Sequence, residues 1–87
     1  MKKNYKITTL EDEAVFAQCE AGEWLDCEFE DLDSGERFFV ELRVEVDETA
    51  EEFANRCFDE AMCNFDEVEF VAIVPAEIAE AMGYDTY

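Results

Sequence analysis

Apolar and polar residues alternate along two long stretches of this chain, and such alternation reads as a half-buried strand. From Trp24 to Glu30, Leu25, Cys27 and Phe29 fall on one face, and Trp24, Asp26, Glu28 and Glu30 on the other. From Arg37 to Val46, Phe38, Val40, Leu42, Val44 and Val46 face the core, and Arg37, Phe39, Glu41, Arg43 and Glu45 face out. The segment Asp31-Leu32-Asp33-Ser34-Gly35-Glu36 between them is rich in turn formers, so the two strands make a hairpin. A shorter alternation predicts another strand from Asn4 to Thr9. From Glu67 to Val74 apolar residues end up on both faces, the mark of a central strand.

Helical spacing takes over after the hairpin. Thr49 and Glu52 form a capping box, and Glu48, Glu51 and Glu52 suit the positive end of a helix dipole. Ala50, Phe53, Ala54, Cys57, Ala61, Phe58 and Met62 give that helix its buried face. Pro75 at a first helical position and Gly83 at a stop bracket a short last helix. The segment from Glu11 to Ala21 fits two elements. Leu10, Ala14, Ala17 and Ala21 form a helical stripe with Gly22 as the stop, although Asp12 is less apt than Glu or Gln in a capping box begun by Thr9. Val15, Ala17 and Cys19 alternate as a strand would; the helix is the better fit.

The predicted fold is α+β, a single small domain over residues 1–87. An antiparallel sheet of about four strands carries a main helix on one face, in ferredoxin-like order. If residues 10–21 are a strand, the variant is an antiparallel β-meander with one main helix.

Charge changes this picture. Asp and Glu number 25 against 6 Lys and Arg, for a net charge of −19. Self-repulsion of that size opposes compaction, and acidic chains poor in aromatics stay disordered. This chain has 8 Phe, 3 Tyr and 1 Trp, is 49% hydrophobic, and contains 1 Pro and 3 Gly, so it folds. A core kept against such repulsion implies that the charge is used. The basic residues are Lys2, Lys3 and Lys6 near the amino end, then Arg37, Arg43 and Arg56. Nucleic acid and anionic membranes are repelled; a basic protein surface is the natural partner. With no run of about 18 apolar residues and no apolar stretch behind the first lysines, the expected location is the cytoplasm. Cys19, Cys27, Cys57 and Cys63 are then expected to be reduced and buried.

The candidate chemistries narrow quickly. The cysteines lack zinc-site spacing and there is no histidine, so no metal site and no cofactor is expected. Asp31, Asp33 and Gly35 resemble the opening of a calcium loop. The pattern then fails at Glu36, where glycine is required, and at Leu42, where glutamate is. No His means no Ser-His or Cys-His pair, and no glycine-rich phosphate loop is present, so no enzyme is expected.

The acidic surface remains. Solvation or adaptation to high salt explains acidity in general terms. Mimicry of nucleic acid is the sharper reading. Asp26, Glu28 and Glu30 on one strand face project about 6.6 Å apart, a plausible substitute for a row of phosphates. Glu41 and Glu45 stand on the neighbouring strand, and the turn adds Asp31, Asp33 and Glu36. Glu48, Glu51, Glu52, Asp59 and Glu60 form a second acidic surface on the main helix, where Arg56 is expected to pair with Glu52 or Glu60. Trp24 and Phe39, exposed beside the carboxylates, would anchor contact with arginines or an apolar pocket. Cover of that sheet face by the last helix or by a dimer partner is their alternative role.

Small size, acidity and an α+β pattern with no catalytic motif together resemble, over the whole chain, the small phage-encoded inhibitors of bacterial defence, above all anti-CRISPR proteins and anti-restriction DNA mimics. The resemblance implies an inhibitor that binds where a bacterial CRISPR-Cas effector subunit holds target DNA, a site lined with arginines. It implies that Asp26, Glu28, Glu30, Asp31, Asp33 and Glu36 replace phosphates or base-edge acceptors, in the cytoplasm of a bacterial host cell. A non-mimetic acidic module that binds a basic host protein is the alternative.

Overall fold

The computed structural model describes residues 6–87. Its elements are α1 (Leu10–Ala17), β1 (Trp24–Asp31), β2 (Arg37–Arg43), α2 (Ala50–Asn64), β3 (Val68–Pro75), α3 (Ala76–Met82) and β4 (Asp85–Thr86). The fold is α+β, with one sheet in the order β3-β1-β2-β4. β1 pairs antiparallel with both β2 and β3. β4 pairs parallel with β2, so the sheet is mixed rather than wholly antiparallel.

The segment around residue 10 is a helix because its cap closes. Thr9 Oγ1 accepts from the Asp12 backbone N–H at 3.2 Å, and Asp12 Oδ2 accepts from the Thr9 N–H at 2.8 Å. Asp12, shorter than the usual Glu, still completes the box. The helix ends at Ala17, well before Gly22, which sits in a turn with φ +93°. Of the strand expected from Asn4 to Thr9, Asn4 and Tyr5 lie outside the described residues and Lys6 to Thr9 is irregular. Among the described residues the ferredoxin-like order therefore has no first strand. A single carboxylate holds this segment instead. Glu51 accepts from the Ile7 N–H, the Thr8 N–H and the Thr8 hydroxyl, the last at 2.8 Å.

The main helix follows its pattern. Its Thr49–Glu52 capping box is formed, and Ala50, Phe53, Ala54, Cys57 and Ala61 are buried. They pack on Leu25, Cys27, Phe29, Phe38 and Val40, the apolar face of the hairpin. Phe29 stacks on Phe38 at 5.7 Å between ring centroids, and Phe38 on Phe65 at 4.2 Å. Met62 is exposed. β2 stops at Arg43, so Val46 is 77% exposed where the alternation placed it inside. Asp47, with φ +60°, turns the chain toward α2 there.

β3 is an edge strand, although its composition suggested a central one. Its two apolar faces are explained by helices on both sides of the sheet. Ile73 joins the α2-side core, while Val74 packs with Phe39 and Ala79 of α3. The ladder slips between Glu28 and Phe29, which face Ala72 and Phe70, leaving Val71 as an extra, exposed residue. Asp12 Oδ1 accepts from the buried Ile73 N–H at 3.0 Å and so occupies the outer edge of this strand.

α3 runs from Pro75, its N-cap, to Gly83, whose φ of +75° gives the left-handed stop that glycine adopts most readily. Beyond it, Tyr87 N–H donates to the Phe39 carbonyl at 2.8 Å and pairs the outer edge of β2. No helix of the described residues is long and apolar enough to cross a membrane. The cysteines are free: Cys27 and Cys57 are buried, Cys19 is half-buried and Cys63 is exposed, against the expectation that all are buried.

Candidate acidic groove and interface

α3 lies over part of the sheet face that the alternation turned toward solvent, and this reorganises the candidate site. Phe39 is fully buried, packed on Val74 and Ala79 and stacked on Tyr84 at 5.5 Å. It is not an exposed anchor. Trp24, at the open end of that face, is 50% exposed, with the Arg43 guanidinium 4.9 Å from its ring centroid.

The row Asp26, Glu28, Glu30 is not a solvent-facing phosphate substitute. Glu28 is 6% exposed and accepts from Arg37 Nη1 at 2.8 Å. The same guanidinium donates through Nε to Glu30 at 3.2 Å, so one cation serves both carboxylates. The hydrogen bond to Glu28 is the main reason why the Arg37 pKa is raised. Glu30 faces Glu69 across β1 and β3.

Asp26 is 2% exposed. It stands directly opposite Glu41 in the β1–β2 ladder, and its Oδ1 has no hydrogen-bond partner. Burial first, then a hydrogen bond to the Glu41 carboxyl and that group's charge, push the Asp26 pKa up to about 8. The shift favours the protonated, uncharged form of Asp26. Reversing Asp26 and Glu28 to lysine would bury two cations, one of them against Arg37, so these positions cannot test a surface role without disturbing the fold.

Asp26 and Glu41 line a groove of about 820 Å³. Its walls are Trp24, Pro75, Glu23 and the α3 residues Glu77 and Glu80, with Cys19 beyond the end of α1. Burial, then the charge of Glu23, raises the Cys19 pKa. Glu23, Glu77 and Glu80 were absent from the sequence-derived set. Their one signal was the spacing of Glu77 and Glu80 on a Pro-started helix, which places both on one side of it.

The remaining candidates divide by task. Asp31 organises the hairpin turn, accepting from the Asp33 N–H and the Ser34 hydroxyl, both at 3.0 Å. Asp33 and Glu36 are exposed at the tip of that turn. Glu52 serves as a cap, accepting from the Thr49 N–H at 2.9 Å. Arg56 pairs with Glu48 at 2.6 Å and approaches exposed Glu45 at 4.0 Å, instead of Glu52 or Glu60. It reaches back across the start of α2 and also donates to the Arg43 carbonyl. Burial works to raise the Glu48 pKa, but the hydrogen bonds from Arg56 and from the Glu45 backbone leave it lowered.

Among the described residues, Lys6 pairs with Glu13, Arg37 and Arg56 pair as above, and Arg43 rests on Trp24. Exposed Asp33, Glu36, Asp59, Glu60, Asp66 and Glu67 have no ion-pair partner among these residues. Nor do the described residues include a group of three or more His, Cys, Asp or Glu able to hold a metal ion. No family model matches the sequence, and no curated protein or solved structure matches it either.

Proposed function

We propose that this protein is an acidic inhibitor that occupies a basic, nucleic-acid-binding surface of a bacterial defence complex of the CRISPR-Cas type. It acts in the cytoplasm of the host cell, by occupancy rather than catalysis. One observation carries the reading. Arg37 and Arg56 are spent on internal carboxylates, and the hairpin tip and the outer face of α2 keep their negative charge. Desolvating such a surface is costly unless the partner supplies matching cations. Asp33 and Glu36 at the tip, with Asp59 and Glu60 on α2, are the carboxylates that would replace phosphates. They succeed the buried Asp26 and Glu28 in that role.

The test is capture of an effector complex by the tagged protein, with and without excess short duplex DNA. Displacement by DNA, and binding that weakens steeply with salt, support mimicry. Lysine at Asp33, Glu36, Asp59 and Glu60 should abolish capture while the circular dichroism spectrum is kept; undiminished capture would reject this surface.

The groove favours a second reading, a non-mimetic module that grips individual basic side chains of a host protein. A buried, unpartnered carboxyl suits one inserted cation better than a path of phosphate contacts. In that case DNA would not displace the partner.

A further inference from the structure

The geometry points to a seat for one arginine side chain of a partner protein in the groove between β1, β2 and α3, with Asp26 and Glu41 as its floor. The inference deepens the reading of a basic partner and rests on it.

The argument starts from an unpaired atom. Buried polar groups in folded proteins are nearly always hydrogen-bonded, and leaving one unsatisfied is costly. Asp26 Oδ1 is such an atom, on a side chain that lines an open groove rather than a sealed core. In the ionised form of Asp26 that oxygen only accepts, and it then lacks a donor. Glu41 faces Asp26 from the neighbouring strand, so two carboxyls lie side by side, and a forked donor fits such a pair. The charge around them is of one sign: Glu23 before β1, and Glu77 and Glu80 from α3.

The chain's own cations serve other groups. Arg37 is held by Glu28 and Glu30 further along β1, and Arg43 lies on Trp24. Asp12, whose charge reaches Cys27 beside Asp26, is committed to Thr9 and Ile73. Val74 faces Asp26 from β3 and brings no charge.

A metal ion fits poorly, because the described residues include no group of three or more ligands placed to hold one. Guanidinium fits better than ammonium for two reasons. It is planar and more weakly hydrated, and so enters a half-buried site at lower cost. The groove wall also contains Trp24, a ring that already bears the guanidinium of Arg43. A docked arginine favours the ionised form of Asp26, whose proton passes to solvent.

The probe is N-acetyl-arginine N-methylamide, whose ends are uncharged, followed by carboxyl-carbon NMR of the whole chain. Saturable shifts at Asp26 and Glu41, with a fall of about 1–3 pH units in the Asp26 titration midpoint, support the seat. Asp26→Asn should weaken the probe at least about tenfold, near the 1.4 kcal/mol that a tenfold change represents. Glu41→Gln should weaken it likewise, which guards against an effect of Asp26→Asn on folding. Weaker binding of the lysine analogue supports the choice of guanidinium. Non-saturating shifts spread over all carboxylates, or equal binding by both variants, would overturn the seat. The DNA-competition assay separates the two readings. A seated probe with capture that DNA cannot displace removes the inhibitor reading alone, and DNA-displaced capture without a seated probe removes the seat alone.

Discussion

The two faces of the sheet share the same strands and differ in what they bury. On the α2 side, Leu25, Cys27, Phe29, Phe38 and Val40 meet Phe53, Ala54 and Cys57, a continuous apolar layer. On the α3 side the apolar contact is Phe39, Val74 and Ala79, and beside it lie Asp26, Glu28 and Glu41. The α2 face supplies the hydrophobic stabilisation that lets so acidic a chain fold. The α3 face places carboxylates where water is scarce, which costs stability and suits a site that another molecule completes.

The largest test of this contrast is pH. The folded-state pKa of Asp26, about 8, lies far above its ordinary value of 3.8. Below about pH 4 the group is protonated whether folded or not. Between about 4 and 8 the folded state keeps a proton that the unfolded chain has lost, so stability falls as pH rises and levels off above 8. The loss of stability is confined to that window. Asp26→Asn should remove that slope and be more stable than the parent at pH 8. Urea midpoints of both proteins at pH 5, 6.5 and 8 check this, and parallel profiles would mean that Asp26 ionises normally.

Truncations compare the faces directly. Phe29→Ala should cost about 4–5 kcal/mol, because its ring is enclosed by Phe38, Phe58 and Phe70. Phe39→Ala should cost about 3 kcal/mol, because the small α3 cluster can close over the gap. Urea unfolding followed by circular dichroism measures both. An equal or greater loss at Phe39 would break the contrast.

Arg37 sharpens it from the polar side. Arg37→Met leaves Glu28 buried without its cation and should destabilise the fold, less than loss from a fully enclosed pair would. Adding Glu28→Gln should restore most of the loss, and a double-mutant cycle in urea reads the coupling. A double variant no better than Arg37→Met would mean that Arg37 contributes only packing.

Period and capping made much of the fold legible in the sequence. The hairpin, α2 with its Thr49–Glu52 box, and the short helix before Gly83 rest on local signals and are present, although β2 stops at Arg43 and Pro75 is the N-cap of α3 rather than its first residue. The errors share one cause. Alternation separates two faces but does not say whether the second is covered. Trp24, Asp26, Glu28 and Phe39 therefore read alike, yet α3 packs on Phe39, Asp26 and Glu28 are buried too, and Trp24 is half-exposed. β4 is two residues long, too short for any period, and Arg56 chose Glu48 over its helical neighbours because the start of α2 brought Glu48 within reach. The groove combines residues from near α1, β1, β2 and α3, an arrangement that no local pattern announces.

Asp12 supplies the smallest test and a different kind of coupling. Its carboxylate has two tasks: Oδ2 closes the cap of α1 at Thr9, and Oδ1 takes the Ile73 N–H at the edge of β3. Loss of a cap costs about 1 kcal/mol, and a buried N–H left without an acceptor costs a similar amount or more. Asp12→Ala should therefore lose about 2 kcal/mol, whereas Asp12→Asn, which keeps oxygen at one position only, should lose about half of that. Hydrogen exchange at the Ile73 amide separates the two tasks. In Asp12→Ala its protection should fall further than that of amides in the middle of α2, because the edge opens locally while the α2 face holds. If both sets of amides lose protection equally, the edge contact belongs to the global core, and the two faces of the sheet are less independent than their chemistry implies.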